Sequence, residues 1–115
     1  MAKKVLILIR RSPFSDIIAS EALRMSIGLT LTDNEITVVF QEDAVSMLTA
    51  VIYNSDRYAD IKRHIETLGE LNCKLIMEKQ ASNKVGEINK EIDVIISSRT
   101  EIDDLIAESD HVITF

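Results

Sequence analysis

Cys73, the one cysteine of the chain, is the residue whose type could do the most specific chemistry. A thiolate attacks disulfides and persulfides when the sulfur is reachable and nearby cations lower the pKa of the thiol. Lys74 follows directly, but residues 74–77 are typical of a β-strand, on which neighbouring side chains point to opposite faces. A free cysteine is also a common small core residue. The sequence therefore leaves a reactive Cys73 and a structural Cys73 as open alternatives.

Four further candidates follow predicted strands. Open α/β sheets bind their ligands beyond the carboxyl ends of the strands. Arg11 and Ser12 follow the first predicted strand, Asp43 follows the second and Lys79 follows the third. We therefore expect these side chains on a polar rim and interpret them as candidate binding residues.

Residues that could hold a metal or a phosphate group are sparse. The glycines are Gly28, Gly69 and Gly86, and none lies between the first predicted strand and helix, where a dinucleotide or ATP-phosphate loop needs them. A lone cysteine excludes an internal disulfide and a multi-cysteine metal site. His64 lies beside a helical stripe and His111 opens a strand, so we predict structural roles for both. We expect no metal and no cofactor.

Length and composition favour one domain over residues 1–115 with an aliphatic core. The net charge of −6 opposes binding to nucleic-acid phosphates. The apolar run at residues 5–9 ends at Arg10, so it is too short for a membrane helix of ~20 residues and lacks the form of a signal peptide. We expect a cytoplasmic protein that binds neither nucleic acid nor membrane, with its thiol in a reducing compartment.

The elements that position these residues alternate between strand-like and helix-like patterns along the chain. Short β-branched runs predict five strands: residues 5–9, 36–40, 74–77, 94–97 and 111–115. Apolar stripes predict helices between the strands at residues 18–29, 45–52, 58–68 and 102–106. A weaker pattern at residues 82–88 predicts a loop or one short helix. This alternation predicts a flavodoxin-like, three-layer α/β/α domain with a mostly parallel five-stranded sheet. Two windings of the sheet fit it equally.

Local signals predict where the helices begin and end. Ser12 is the predicted cap of the first helix, and Asp16 is an early acid in its first turn. Gly69 stands where a glycine commonly follows the end of a helix. Thr100 with Asp103 resembles a capping box that opens the last helix.

Short motifs over nearly the whole chain resemble the DsrE/DsrF-like family of small sulfur-relay subunits. In that family a strand ending in Phe is followed three residues later by Asp, as at Phe40 and Asp43. The other matching stretches are residues 4–9, 22–33, 38–48, 102–105 and 109–115. The pattern is closest to the TusC/DsrF branch, with Ala44 where glycine is usual.

The resemblance implies a DsrEFH-like fold, a role in intracellular sulfur transfer and an oligomer with itself or with related small subunits. Sulfur-carrying members use a cysteine just after the third strand as a persulfide acceptor, and that position falls near Met77. Cys73 lies four residues earlier, roughly 13 Å along a strand. The resemblance therefore favours an accessory or partner subunit that is not catalytic alone. A persulfide carrier that uses Cys73, and a small-molecule or nucleotide-binding module, are the alternatives.

Overall fold

The structure is a computed structural model that describes residues 2–14, 17–82 and 85–115. Five strands form one sheet: β1 (Lys4–Ile9), β2 (Glu35–Phe40), β3 (Lys74–Glu78), β4 (Ile95–Ser97) and β5 (His111–Thr114). The α-helices are α1 (Ile18–Thr30), α2 (Ala50–Tyr53), α3 (Ala59–Glu70), α4 (Lys79–Ser82) and α5 (Arg99–Glu108). Two 3₁₀ segments, Glu42–Leu48 and Asp56–Tyr58, connect β2 with α3 on either side of α2. Within the described residues, no helix combines the length and apolar character needed to cross a bilayer.

All strand pairs are parallel, in the order β4-β3-β2-β1-β5. The chain steps in one direction from β1 to β4 and then returns to the free side of β1 for β5. Right-handed crossovers place helices formed during the outward steps on one face and α5, formed during the return, on the other. The predicted three-layer α/β domain is thus confirmed. The strand order β4-β3-β2-β1-β5 decides which of the two possible windings the sheet has, and it differs from the flavodoxin order 2-1-3-4-5.

Two apolar cores of unequal size cover the faces of the sheet. The larger core joins alternate residues of β1, β2 and β3 to helices α1 and α3, and it contains Phe40, Leu23 and Leu68. The smaller core places one helix, α5, over the other face, with Ile102 fully buried against alternate residues of the strands. Because β1 is covered on both faces, its apolar side chains form a continuous run rather than alternating with polar ones.

The first helix begins later than the sequence predicts. Helix α1 starts at Ile18, and the hydroxyl of Ser12 accepts a hydrogen bond from the backbone N–H of Phe14 at 3.1 Å. Ser12 therefore organises a turn in the loop after β1 and does not cap the helix, because a short hydroxyl side chain stabilises such turns as readily as helix starts. The predicted early acid, Asp16, lies outside the described residues.

Asn72, and not Gly69, ends α3. Gly69 lies in the last helical turn, whereas Asn72 takes a left-handed conformation with φ 60°. The backbone N–H of Asn72 donates to the carbonyl of Gly69 at 3.1 Å, and that of Cys73 donates to Leu68 at 3.0 Å. These two bonds form a Schellman motif, in which asparagine takes the place usually held by glycine. The motif positions Cys73 immediately before β3.

The capping box of α5 lies two residues before the predicted one. The Ser98 hydroxyl accepts from the backbone N–H of Glu101 at 3.2 Å, and Glu101 accepts from the Ser98 N–H at 3.0 Å. These bonds hold the pKa of Glu101 below its ordinary value. The prediction of Thr100 with Asp103 was wrong because Ser98 with Glu101 offers the longer glutamate side chain, which reaches back to the cap.

The connection between β3 and β4 differs from its prediction in position. Its short helix, α4, occupies Lys79–Ser82, directly after β3. Ile88 forms an isolated antiparallel bridge with Thr49 rather than belonging to a helix. Residues 83 and 84 of the predicted segment lie outside the described residues.

Candidate functional site

The carboxyl ends of the parallel strands lie along one side of the sheet, which we term the carboxyl edge. The four rim candidates follow β1, β2 and β3 in sequence, so the parallel sheet brings them all to this edge. Arg11, Asp43 and Lys79 are exposed there, and Ser12 is half-buried. That they bind a ligand stays a prediction.

A row of polar side chains crosses the carboxyl edge from β1 to the start of α5. Arg10 Nε donates to Gln41 Oε1 at 3.3 Å, and Gln41 Nε2 donates to Glu78 Oε2 at 2.8 Å. Arg99 Nε donates to the other carboxylate oxygen, Glu78 Oε1, at 3.3 Å. The end of each of four chain segments thus contributes one member to a single hydrogen-bonded row.

Strand register explains why these residues meet. Ile9, Phe40 and Met77 lie level with one another across β1, β2 and β3. The residue after each of them is polar, so the next level of the sheet aligns three polar side chains. Sequence reasoning placed their neighbours Arg11, Asp43 and Lys79 at the strand ends but missed the row, because no single strand carries the information about which distant strand it pairs with.

Glu78 is the buried member of this row. Its side chain is 3% exposed, whereas that of Arg99 is 65% exposed. A buried carboxylate is costly unless hydrogen bonds and a counter-charge replace its water. Gln41 and Arg99 supply one donor to each oxygen, and no buried side-chain nitrogen or oxygen among the described residues lacks a partner. The row therefore stabilises the negative charge of the buried Glu78 carboxylate.

A cleft of about 370 Å³ opens beside Glu78. Its volume lies within the range of small-molecule sites. The described residues that line it are Glu42, Asp43, Glu78, Gln80, Ala81, Val85 and Arg99. Glu42 takes a left-handed conformation with φ 50°, which is uncommon for a residue with a side chain. With three carboxylates and one guanidinium around it, the cleft suits a cationic group better than a phosphate.

Cys73 lies at the opposite edge of the sheet, before the first residue of β3. Glu78 is the fifth residue after it, roughly 16 Å along the strand. Its thiol is buried and donates to the carbonyl of Ile36 at 3.2 Å. Burial raises the pKa of Cys73 to about 11. At neutral pH the thiolate fraction is therefore on the order of one in ten thousand.

No thiol occupies the end of β3. Met77, near which the family resemblance places the persulfide cysteine, is 1% exposed and belongs to the larger core. The following residue is the buried Glu78. The carboxyl edge therefore presents carboxylates, an amide and guanidinium groups where a sulfur carrier needs a nucleophilic sulfur.

The histidines lie apart from these residues. His111 opens β5 and is exposed, while His64 lies on α3. A hydrogen bond of 2.8 Å from the Ser20 hydroxyl is the main cause that lowers the pKa of Asp60, and the neighbouring His64 makes a small electrostatic contribution. Within residues 2–14, 17–82 and 85–115, no three His, Cys, Asp or Glu side chains form a group that could hold a metal ion.

Comparisons with known proteins agree with this geometry at the level of the fold. The sequence model of the DsrE/DsrF-like family matches residues 3–115. The crystal structure of the ychN protein from E. coli is similar with a TM-score of 0.74 and 22% sequence identity, covering 100% of each chain. At that identity the likeness shows the shared fold. A comparison with curated protein sequences finds no match.

Proposed function

The chain belongs to the DsrE/DsrF-like family, and on that premise we propose that it is a partner subunit of persulfide sulfur transfer that does not itself carry the sulfur. The family is generally related to sulfur relay. The partners in this proposal are further copies of the chain or related small subunits, and its place is the cytoplasm, where a free thiol persists. The observation that carries the proposal is the position of Cys73.

Sulfur carriage requires a thiolate that can reach the donor. The thiolate attacks the outer sulfur of a donor persulfide, a new S–S bond forms, and the donor's own S–S bond breaks to release the donor as a thiolate. Cys73 Sγ instead lies against the backbone of β2 with its proton retained by burial. Such a thiol is a poor nucleophile at neutral pH.

The family-specific position supports the same interpretation. Met77 fills core space with a thioether, and Glu78 holds hydrogen bonds to Gln41 and Arg99. A thiol introduced near the end of β3 would need an exposed site, and Lys79 is the first exposed residue after the strand. A subunit built in this way contributes surface and fold to a relay rather than a sulfur-carrying residue.

Intact-mass analysis after exposure to a small-molecule persulfide donor tests the proposal. We expect that neither the wild-type chain nor Cys73→Ser gains a sulfur atom. The double variant Cys73→Ser, Lys79→Cys is the matched positive control, because it presents one exposed thiol on the same scaffold. A reductant-reversible gain of one sulfur by the wild type, absent from Cys73→Ser, would overturn the proposal and identify Cys73 as a carrier.

The cleft beside Glu78 supports a second candidate function, a small-molecule-binding module. Its volume and its mixture of Arg99 with carboxylates are the specific observations in favour. Thermal-shift measurements with small amines, nucleotides and flavins test it. We expect any stabilisation to come from amines, since the acidic lining repels phosphates, and to be lost in Asp43→Asn. The absence of a shift with all three classes would remove this candidate.

A further inference from the structure

The cleft beside Glu78 has opposite charges on its two sides. In the sheet, β3 lies between β2 and β4. Glu42 and Asp43 follow β2, whereas Arg99 follows β4, and all three residues line the cleft around Glu78 at the end of β3. A ligand that carries both a negative and a positive group matches this lining better than a ligand with a single charge.

The ion pair with Glu78 leaves most of the Arg99 guanidinium able to bind a ligand. Arg99 Nε donates to Glu78 Oε1 at 3.3 Å, and a guanidinium has four further N–H groups, on Nη1 and Nη2. The Arg99 side chain is 65% exposed, so these groups have room for a partner. Because the buried Glu78 holds Nε, the planar guanidinium is oriented, and its fork matches the two oxygens of a carboxylate.

Glu42 and Asp43 are the carboxylates of the cleft that remain for a positive group. Both are exposed, and the one basic residue among the described lining residues, Arg99, is bonded to a different carboxylate. The neighbouring Glu101 is already engaged, because its hydrogen bonds at the helix cap and the nearby charge of Lys79 lower the pKa of its carboxyl group. An ammonium group of the ligand would therefore balance the charges of Glu42 and Asp43.

We infer that the cleft binds a small zwitterionic amino acid. The carboxylate of this ligand pairs with Arg99, its ammonium group pairs with Glu42 and Asp43, and its side chain contacts Ala81 and Val85, the apolar members of the described lining. The volume of about 370 Å³ is at the small end of ligand sites, which favours one amino acid over a nucleotide or a peptide. The inference rests on the second candidate function, a small-molecule-binding module, and names the class of its ligand.

Three ligands that share one carbon skeleton test the inference. L-valine carries both charges, isobutylamine lacks the carboxylate, and isovalerate lacks the ammonium group. We expect L-valine to bind the wild-type chain with a Kd at least about tenfold lower than that of either other ligand, measured by NMR titration at neutral pH. Binding of either single-charge ligand as tightly as L-valine would overturn the inference, and the second candidate function would then stand with a different ligand class. Binding of none of the three would overturn both.

Substitutions on the two charged sides of the cleft provide the second measurement. Arg99→Lys keeps the positive charge but loses the fork, and Asp43→Asn removes one carboxylate, so we expect each to raise the Kd of L-valine at least about fivefold. Arg63→Lys on α3 and Asp103→Asn on α5 are matched controls at exposed positions outside the cleft, and they should leave the Kd unchanged. Circular dichroism verifies that all four variants fold. Unchanged binding in Arg99→Lys or Asp43→Asn would overturn the inference. The sulfur-gain experiment reads Cys73 at the opposite edge of the sheet, so it tests the first proposal independently.

Discussion

Gln41 donates a hydrogen bond of 2.8 Å from Nε2 to Glu78 Oε2, joining the ends of β2 and β3. The pair is buried, and it sits in the centre of the polar row across the carboxyl edge. Arg99 completes the coordination of the carboxylate from the start of α5. The Glu78 carboxylate at the end of β3 therefore links the end of β2 and the start of α5 at the carboxyl edge.

We expect Gln41→Leu to lower the free energy of unfolding by about 1–3 kcal/mol, because it leaves one oxygen of a buried carboxylate without its donor. Urea denaturation at neutral pH measures the change. Gln80→Leu is the matched control, since Gln80 is an exposed glutamine on the same edge, and its effect should stay within about 0.5 kcal/mol. Equal losses in the two variants would show that the hydrogen bond to Glu78 adds little.

The buried thiol makes stability sensitive to alkaline pH. The pKa of Cys73 is raised to about 11 from an ordinary value of 9.0. Because the folded value is the higher one, the contribution of the protonated thiol is fully present below pH 9 and is lost as the pH rises from 9 to about 11. We expect this loss to approach about 3 kcal/mol.

Urea denaturation of the wild type and Cys73→Ala across this alkaline range isolates the thiol. The stability difference between the two proteins should shrink as the pH rises, because only the wild type has the titrating group. A constant difference would indicate that Cys73 is more accessible to water than the structure shows.

The end of α3 can be tested by exchanging residues at two positions. Gly69 lies within the helix with open space around its Cα, so Gly69→Ala should stabilise the protein by about 0.5–1 kcal/mol. Asn72 holds the left-handed position, so Asn72→Val should destabilise it by about 1–2 kcal/mol. Thermal or urea unfolding measures both. Destabilisation by Gly69→Ala would indicate that Gly69, and not Asn72, is the residue that ends α3.

The Ser20–Asp60 hydrogen bond links α1 to α3 and depends on pH. The bond holds the pKa of Asp60 below its ordinary value of 3.8. Because the folded value is the lower one, its contribution is present above that pH and is lost as the pH falls through the folded value. We expect Ser20→Ala to cost about 1 kcal/mol at neutral pH, measured by urea denaturation, and clearly less near pH 3. The same loss at both pH values would contradict an ionised Asp60 as the partner.

The strands were predictable from sequence because their signal is local. The ends of each predicted strand lie within two residues of those observed, because short β-branched runs favour strands whatever the tertiary arrangement around them. The helix ends were less predictable, because Ser98 and Thr100 compete for the same cap and Gly69 and Asn72 for the same stop. In each case specific hydrogen bonds to the backbone decide which residue ends or begins the helix, and either of the two residue types could have formed them.

The candidate site was predictable only in its location. Parallel alternation requires strand ends to share an edge, which is sufficient to place Asp43 and Lys79 there. The link from Gln41 to Glu78 depends on the register between β2 and β3, and a single sequence does not contain it. The hydrogen bond from Cys73 to the carbonyl of Ile36 likewise joins residues 37 positions apart in sequence, and no local pattern identifies it.

The sheet order also has a consequence for how the chain is made. Val5 of the interior strand β1 pairs with His111 of the edge strand β5, so one side of β1 finds its partner only after almost the entire domain has been synthesised. Until then β1 is an aliphatic strand with an open edge, the kind of surface from which newly made chains aggregate. Pairings this distant in sequence form slowly. Translation speed and chaperone supply should therefore affect the yield of folded protein, whereas the stability of the protein once folded should not depend on them.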